Sequence, residues 1–223
     1  MQNIKHYVHL FGKLIKVSFV ENKFIILFSG LLFVISMLFG YFFAPYITNI
    51  LNPMVDSFRD KVQQGEIKIT HDSIFLNNVF VGIMMYCGAI LFGLVTATLL
   101  ISNGVFIGYF ATQMPLNAFL AYTLPHGIIE IPAIIIAGAS GFVLLKFIIS
   151  TIYNIFSPNI DEKTDNLEGS YNWTIKNRIF SSLEFNSNIL FQSLTLFGVS
   201  VVLFVIAAFI EAYLTIPIGN FFI

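Results

Sequence analysis

The sequence contains very little charge and almost no cysteine. Only 10% of its 223 residues are Asp, Glu, Lys or Arg, whereas soluble domains carry about a quarter. Cys87 is the only cysteine, which excludes an intrachain disulfide and a zinc cluster built from cysteines. The net charge of −1 gives no indication of a nucleic-acid partner. No Gly-x-x-x-x-Gly-Lys-[Ser/Thr] loop or His-Glu-x-x-His motif occurs, so an ATPase would have to be a separate chain, and we expect no cofactor.

Long apolar runs take the place of the missing charge. Hydrophobic residues make up 57% of the chain, and its mean hydropathy is +0.85. A chain of this size could not bury so much apolar surface in water, so the composition predicts an integral membrane protein in contact with lipid. The lysine-containing N-terminal stretch has no small-residue cleavage site. The first apolar run is therefore expected to remain as a signal anchor.

The apolar runs predict an all-α, polytopic transmembrane helix bundle of about five spans, because a crossing helix needs about 20 apolar residues. The expected spans are 24–44, 74–101, 104–122, 125–153 and 189–216. A tight turn is expected at 102–104, with Asn103 as a candidate helix cap and Gly104 as the first residue of the third span. The third span fits either a complete crossing or a broken, re-entrant helix, since Gly104, Gly108 and Pro115 interrupt it.

The whole chain, 1–223, is interpreted as a single membrane domain with three polar parts. Residues 1–22 have apolar residues near helical spacing with lysines between them, which predicts an amphipathic interfacial helix or a lead-in packed on the bundle. Residues 45–73 are expected to form an external loop with a helical portion, and 157–187 a cytoplasmic loop. Eight Lys and Arg residues fall on the N-terminal side and three on the other. This bias predicts a cytoplasmic N terminus and an external C terminus in the plasma membrane.

Two acidic residues, Glu130 and Glu211, lie inside apolar spans. A carboxylate at the bilayer centre costs about 3 kcal/mol on insertion scales, so it usually faces the bundle interior and has partners. Both positions are expected roughly 7 to 8 Å inside the external ends of their helices. His126 precedes Glu130 by one helical turn on the same face. The sequence therefore predicts one buried polar cluster, which consists of Asn77, Asn78, His126, Glu130 and Glu211.

Helix-breaking and packing residues surround this predicted cluster. Pro125 suits the first position of a helix, and Pro132 removes a backbone donor one turn beyond Gly127. The cluster can be read as a structural clamp between helices or as a proton, cation or metal site, or a catalytic acid–base pair. A His-x-x-x-Glu pair supplies at most two zinc ligands, with Glu211 as a third, so the metal signal is weak and no metal is predicted.

Four stretches of the sequence resemble the stage II sporulation protein M family of integral membrane proteins. These are FLNNVFVG (75–82), SNGVFIGYF (102–110), LPHGIIEIPAIIIAGASG (124–141) and AAFIEAYLTIP (207–217). The resemblance implies a polytopic plasma-membrane protein and makes His126, Gly127, Glu130, Pro132 and Glu211 recurrent polar or helix-shaping positions without an established chemistry. In spore formers, members are similar to membrane anchors for peptidoglycan-degrading partners during engulfment.

Three functions are compatible with these features. The first is a non-catalytic membrane scaffold that recruits or positions envelope-remodelling protein partners, either as a monomer or as a homo-oligomer. The second is a transporter or transporter subunit that uses Glu130 and Glu211 as a proton, cation or substrate site. The third is an intramembrane metal-dependent hydrolase, which would need more ligands than His126, Glu130 and Glu211.

Overall fold

The computed structural model describes residues 2–63, 71–156 and 175–222, and within these ranges it is helical without any strand. The helices are α1 (Gln2–Glu21), α2 (Lys23–Phe42), α3 (Ala44–Gln63), α4 (His71–Cys87), α5 (Leu94–Phe110), α6 (Leu116–Phe156), α7 (Ile175–Tyr213) and α8 (Thr215–Phe222), with a 3₁₀ turn at Gly88–Leu91. The predicted all-α membrane bundle is confirmed.

Four segments of the described chain are long and apolar enough to cross a bilayer. They are Lys23–Phe42, Asp72–Leu91, Leu116–Phe156 and Ile175–Tyr213. Helix α5 is also apolar but has only 17 residues, or about 25 Å at 1.5 Å per residue, compared with about 30 Å for a hydrocarbon core. These helices make the protein a multi-pass membrane protein.

The apolar helices alternate in direction through the bundle. Helices α2 and α5 run parallel, because Phe33 lies beside Gly104 and Tyr41 lies beside Gly108. Helix α6 runs antiparallel to α5. Helix α7 runs antiparallel to both α4 and α6, and it makes its most extensive interface with α6. Helices α2, α5 and α7 therefore point one way, and α4 and α6 point the other way.

The predicted turn at 102–104 is wrong. Helix α5 continues through these residues, and the side-chain amide of Asn103 donates a hydrogen bond to the Leu99 carbonyl at 2.7 Å. The chain instead turns ten residues earlier, where Phe92 (φ 53°) and Gly93 (φ 74°) adopt left-handed conformations. Glycine populates that region at no steric cost, so Gly93 supplies the turn that we had placed at Gly104.

Gly104 has a packing role in the interior of α5. A Cβ atom at this position would lie 2.6 Å from the Phe33 carbonyl oxygen of α2, and one at Gly108 would overlap the Met37 carbonyl. Gly40 of α2 makes the equivalent approach to Val105. The two helices therefore contact backbone to backbone, as small residues allow in membranes.

The expected boundary between the third and fourth spans is also wrong. Pro125 does not begin a helix, because α6 starts at Leu116 and contains both Pro125 and Pro132 in its interior. The chain breaks instead over residues 111–115, and Pro115 accepts the first backbone hydrogen bond of the new helix from Phe119. Interior prolines persist in membrane helices because neighbouring helices and polar side chains can satisfy the freed carbonyls.

Two predicted loops are largely helical. Helix α7 begins at Ile175, so residues 175–187 of the expected cytoplasmic loop are helical. The remainder of that expected loop, 157–174, lies outside the described residues. Helix α3 occupies most of the expected external loop, and 64–70 also lie outside the description. The buried Tyr109 hydroxyl of α5 donates a hydrogen bond to Asn52 of α3. Helix α3 thus agrees with the helical portion expected within 45–73, whereas the helical start of α7 is not part of the expectation for 157–187.

Helix α1 covers the predicted amphipathic arm. Its C-terminal part packs on the bundle, where Ser18 is fully buried and Phe19 contacts the apolar cluster around Leu196 of α7. Its middle part exposes Leu10 and Phe11. The last turn of α1 is therefore a packed lead-in, and the preceding turns present an apolar surface.

Candidate functional site

Helix α6 carries the first half of the site. His126 and Glu130 are one turn apart in the segment between its two interior prolines. The Nε2 atom of His126 lies 3.7 Å from Oε2 of Glu130, and both side chains are mostly buried, with 14% and 20% of their surface exposed. The pair is thus held inside the bundle, where polar groups need partners.

Helix α7 adds Glu211 to this pair, and we call the three residues His126, Glu130 and Glu211 the His–Glu cluster. One ligand atom from each of the three residues can be chosen so that all lie within 4.8 Å of one another. Asn78 of α4 donates a hydrogen bond from Nδ2 to Oε1 of Glu130 at 2.9 Å. Three helices that are distant in sequence therefore converge at this point.

The short C-terminal helix α8 adds a polar partner. The hydroxyl of Thr215 lies 3.1 Å from Nδ1 of His126, and it donates to the Ile210 carbonyl at 3.3 Å. Sequence analysis did not identify Thr215, although it stands one helical turn after Glu211 in the same polar stretch. The break between α7 and α8 near Leu214 places it beside Nδ1 of His126, and Pro217 in the first turn of α8 is the sequence signal for that break.

Helix α8 is fixed against α6 at two further points. The Tyr122 hydroxyl donates to Oδ1 of Asn220 at 2.7 Å, and Gly219 packs so closely on the Tyr122 ring that a Cβ atom would overlap it. Tyr122 precedes His126 by one helical turn along α6. Helix α8 therefore covers one end of the His–Glu cluster.

Not all the predicted residues join the cluster. Asn77 is exposed, as expected for the neighbour of Asn78 about 100° around the helix. Gly127 is buried and Pro132 is exposed, and both line an apolar groove of about 550 Å³ between α2, α5 and α6. The groove also includes Met37, Ile107 and Phe119. It lies on a different face of α6 from the two ionisable residues.

A second polar group, missed in the sequence, lies where α1 meets α2. The Asn22 amide donates to Oε1 of Gln192 at 2.8 Å, and the Gln192 amide donates to the Glu21 carboxylate at 2.5 Å. We call this set the Glu21 cluster. Near it the Tyr86 hydroxyl lies 3.1 Å from the hydroxyl of Ser193. The two clusters lie at opposite ends of the apolar part of α7.

The fold and the site define a class of protein. It is a multi-pass α-helical membrane protein with a polar cluster of histidine and glutamate near one end of its apolar core. The family model described as Stage II sporulation protein M matches residues 29–216, so the chain belongs to this family.

Two archaeal relatives align with nearly the whole chain. Uncharacterized protein MJ0793 of Methanocaldococcus jannaschii is 30% identical over 201 residues, which cover 88% of this chain and 96% of the relative. Uncharacterized protein MJ0706 of the same organism is 24% identical over 210 residues, which cover 90% and 86%. No solved structure matches the chain. The family agrees with a membrane protein, and neither the family nor the two relatives assign a reaction.

Proposed function

We propose that this protein is a membrane scaffold that recruits and positions envelope-remodelling protein partners. The observation that supports this role is the excess length of the paired helices α6 and α7, which contain 41 and 39 residues. At 1.5 Å per residue they measure about 60 Å, twice the thickness of a hydrocarbon core. The pair thus has more helix than a crossing needs, and the excess is available for binding other proteins.

The excess part of α7 is its N-terminal end. Residues 185–210 contain no charge and are long enough to cross, whereas Lys176, Arg178 and Glu184 stand before them. On this end a row of exposed apolar residues recurs at helical spacing, which we call the α7 stripe: Ile175, Ile179, Phe180 and Leu183. An apolar row outside the hydrocarbon is a typical surface for a helical partner.

One side-chain hydrogen bond joins α6 and α7 at the base of the projecting part of α7. Ser150 of α6 donates a hydrogen bond to Oδ1 of Asn186 at 2.7 Å, and the Asn186 amide donates to the Ser182 carbonyl at 2.8 Å. The polar face of α7 is thus turned toward α6, and the α7 stripe faces outward. By the distribution of Lys and Arg this end lies in the cytoplasm, together with α1.

Quantitative affinity capture from native membranes in mild detergent tests the scaffold. Phe180→Ala removes the largest side chain of the α7 stripe, which is 67% exposed. We expect at least one envelope protein that copurifies with the wild type to be depleted several-fold. Phe80→Ala on α4, 62% exposed within a crossing segment, is the matched control and should retain that protein. An identical set of copurifying proteins for all three chains would contradict the scaffold.

A second function, ion-coupled transport, is favoured by one observation. The two carboxylates and the imidazole of the His–Glu cluster come together near one end of the apolar core, and intramembrane ionisable groups commonly mark ion pathways. Purified protein in liposomes should then take up protons or a cation along an imposed gradient, and Glu130→Gln should abolish the uptake while Asn77→Ala should not. Equal flux in empty liposomes and in liposomes with protein would exclude this role.

A further inference from the structure

We propose that the His–Glu cluster binds one divalent transition-metal ion of the Zn²⁺ class, with His126, Glu130 and Glu211 as its ligands. The inference does not depend on the scaffold role. It is supported by the convergence of the three side chains, by the hydrogen bonds that hold His126 and Glu130, and by the charge balance of the site.

The hydrogen bonds of Thr215 are compatible with a proton on Nδ1 of His126. Its one hydroxyl proton is donated to the Ile210 carbonyl, so its oxygen is available to accept a hydrogen bond from Nδ1–H of His126. The Nε2 atom then has a free lone pair, and it faces Oε2 of Glu130 at 3.7 Å. In this tautomer both facing atoms are acceptors, and a bound metal ion satisfies both of them.

Both α6 ligands form a hydrogen bond through the side-chain atom that does not face the other ligand. Nδ1 of His126 is bound to Thr215, and Oε1 of Glu130 accepts the 2.9 Å hydrogen bond from Asn78. Metal-binding histidines characteristically donate their second ring N–H to such a partner, and ligating carboxylates are themselves hydrogen-bonded. Thr215 and Asn78 thus leave Nε2 of His126 and Oε2 of Glu130 facing each other at 3.7 Å.

The charge balance of the cluster points the same way. Within the described part of the chain, no Lys or Arg forms an ion pair with Glu130 or Glu211, and no group donates a hydrogen bond to Glu211. Two carboxylates without a Lys or Arg partner are costly in a low-dielectric site. A divalent ion neutralises both charges, whereas a single shared proton would leave one.

The distances and the donor types select the metal. Ligand atoms within 4.8 Å of one another need to contract by up to about 1.4 Å to reach the separation of about 3.4 Å that tetrahedral bonds of 2.0–2.1 Å impose. One imidazole nitrogen with two carboxylates suits Zn²⁺ or a similar first-row ion, whereas Mg²⁺ and Ca²⁺ prefer oxygen alone. Three protein ligands leave a fourth position for water.

Metal analysis of the purified protein tests the proposal. We expect about one Zn²⁺ per chain after purification without chelators, and visible absorption bands of tetrahedral coordination when Co²⁺ replaces it. Glu211→Gln and His126→Asn should lose the bound ion. Thr215→Val should weaken Zn²⁺ binding about 10- to 100-fold, as expected for a residue that orients a ligand. Asn77→Ala should leave the affinity unchanged.

A second measurement covers the case in which a ligand variant does not fold. Zn²⁺ added to the metal-free wild-type protein should raise its unfolding temperature in detergent, whereas Mg²⁺ at the same concentration should not. A wild-type protein that binds no Zn²⁺ or Co²⁺ would overturn the proposal. Binding that His126→Asn and Glu211→Gln leave undiminished would also overturn it, because the ion would then be adventitious.

Discussion

Asn78 of α4 donates a hydrogen bond across 2.9 Å to Oε1 of Glu130 of α6. The two residues are 52 positions apart in sequence, and their contact joins helices that run in the same direction through the bundle. The bond directs the other carboxylate oxygen toward His126. The same contact is therefore both a link between helices and part of the geometry of the His–Glu cluster.

Removal of this hydrogen bond is expected to destabilise the protein. Asn78→Ala leaves Glu130 without its amide donor, and we expect a loss of about 1 kcal/mol, within the range measured for hydrogen bonds between membrane helices. Asn77→Ala, next to it on the exposed side of α4, should change stability by less than about 0.5 kcal/mol. Thermal unfolding of both variants in one detergent measures the difference, and equal unfolding temperatures would contradict the prediction.

The parallel contact between α2 and α5 should not tolerate a methyl group. Gly108→Ala places a Cβ atom against the Met37 carbonyl and 2.9 Å from the Tyr41 nitrogen, so we expect a loss of about 1–3 kcal/mol through overpacking. Gly198→Ala is the matched control, since nothing lies within 4 Å of its Cβ position. It should be neutral or stabilise α7 by up to about 1 kcal/mol, because alanine favours helix. Unfolding temperatures that move in the same direction would contradict this account.

The packing of α8 on α6 can be tested in a similar way. Gly219→Ala drives a Cβ atom into the Tyr122 ring, so α8 should separate from α6 and lose the Thr215 contact with His126. We expect faster amide hydrogen exchange over residues 215–222 and unchanged exchange in α2. Gly12→Ala, where a Cβ meets nothing within 4 Å, should leave both regions unchanged. Exchange over 215–222 that matches the wild type would show that α8 accommodates the methyl group.

The proposed orientation predicts which residues react from outside the cell. In a Cys87→Ser background, Gln113→Cys lies between α5 and α6 at the same end as the His–Glu cluster, and Lys176→Cys lies at the start of α7. A membrane-impermeant maleimide added to intact cells should label the first cysteine and not the second. Opening the cells should expose both. The reverse pattern would invert the topology and place the α7 stripe outside.

The sequence predicted the class of fold because apolar length and scarcity of charge are direct physical requirements of the bilayer. It also predicted that Glu130 and Glu211 fall at similar depth, since helix rise converts position into height. The helix boundaries were less predictable. Pro115, Pro125 and Pro132 have the same local propensity, but only Pro115 lies at a break.

Tertiary contacts account for the turns and partners that the sequence did not reveal. Gly93 and Gly104 are equivalent as isolated residues, and only the close approach of α2 to Gly104 distinguishes a packing glycine from a turn glycine. The contact of Thr215 with His126 depends on a helix break at Leu214, where Pro217 signals the boundary but not the packing of α8 on His126. In each case the deciding group lies on another helix, so no local pattern contains it.

The parallel pairing of α2 with α5 has a consequence for biosynthesis. Neighbouring antiparallel helices can associate as soon as both leave the ribosome, but α2 cannot meet α5 until α3 and α4 have been translated and α4 has been threaded back through the bilayer. During that interval the side of α2 that will contact α5 faces lipid or the insertion machinery. The assembly of this protein therefore includes an obligatory waiting step, set by chain connectivity rather than by helix stability.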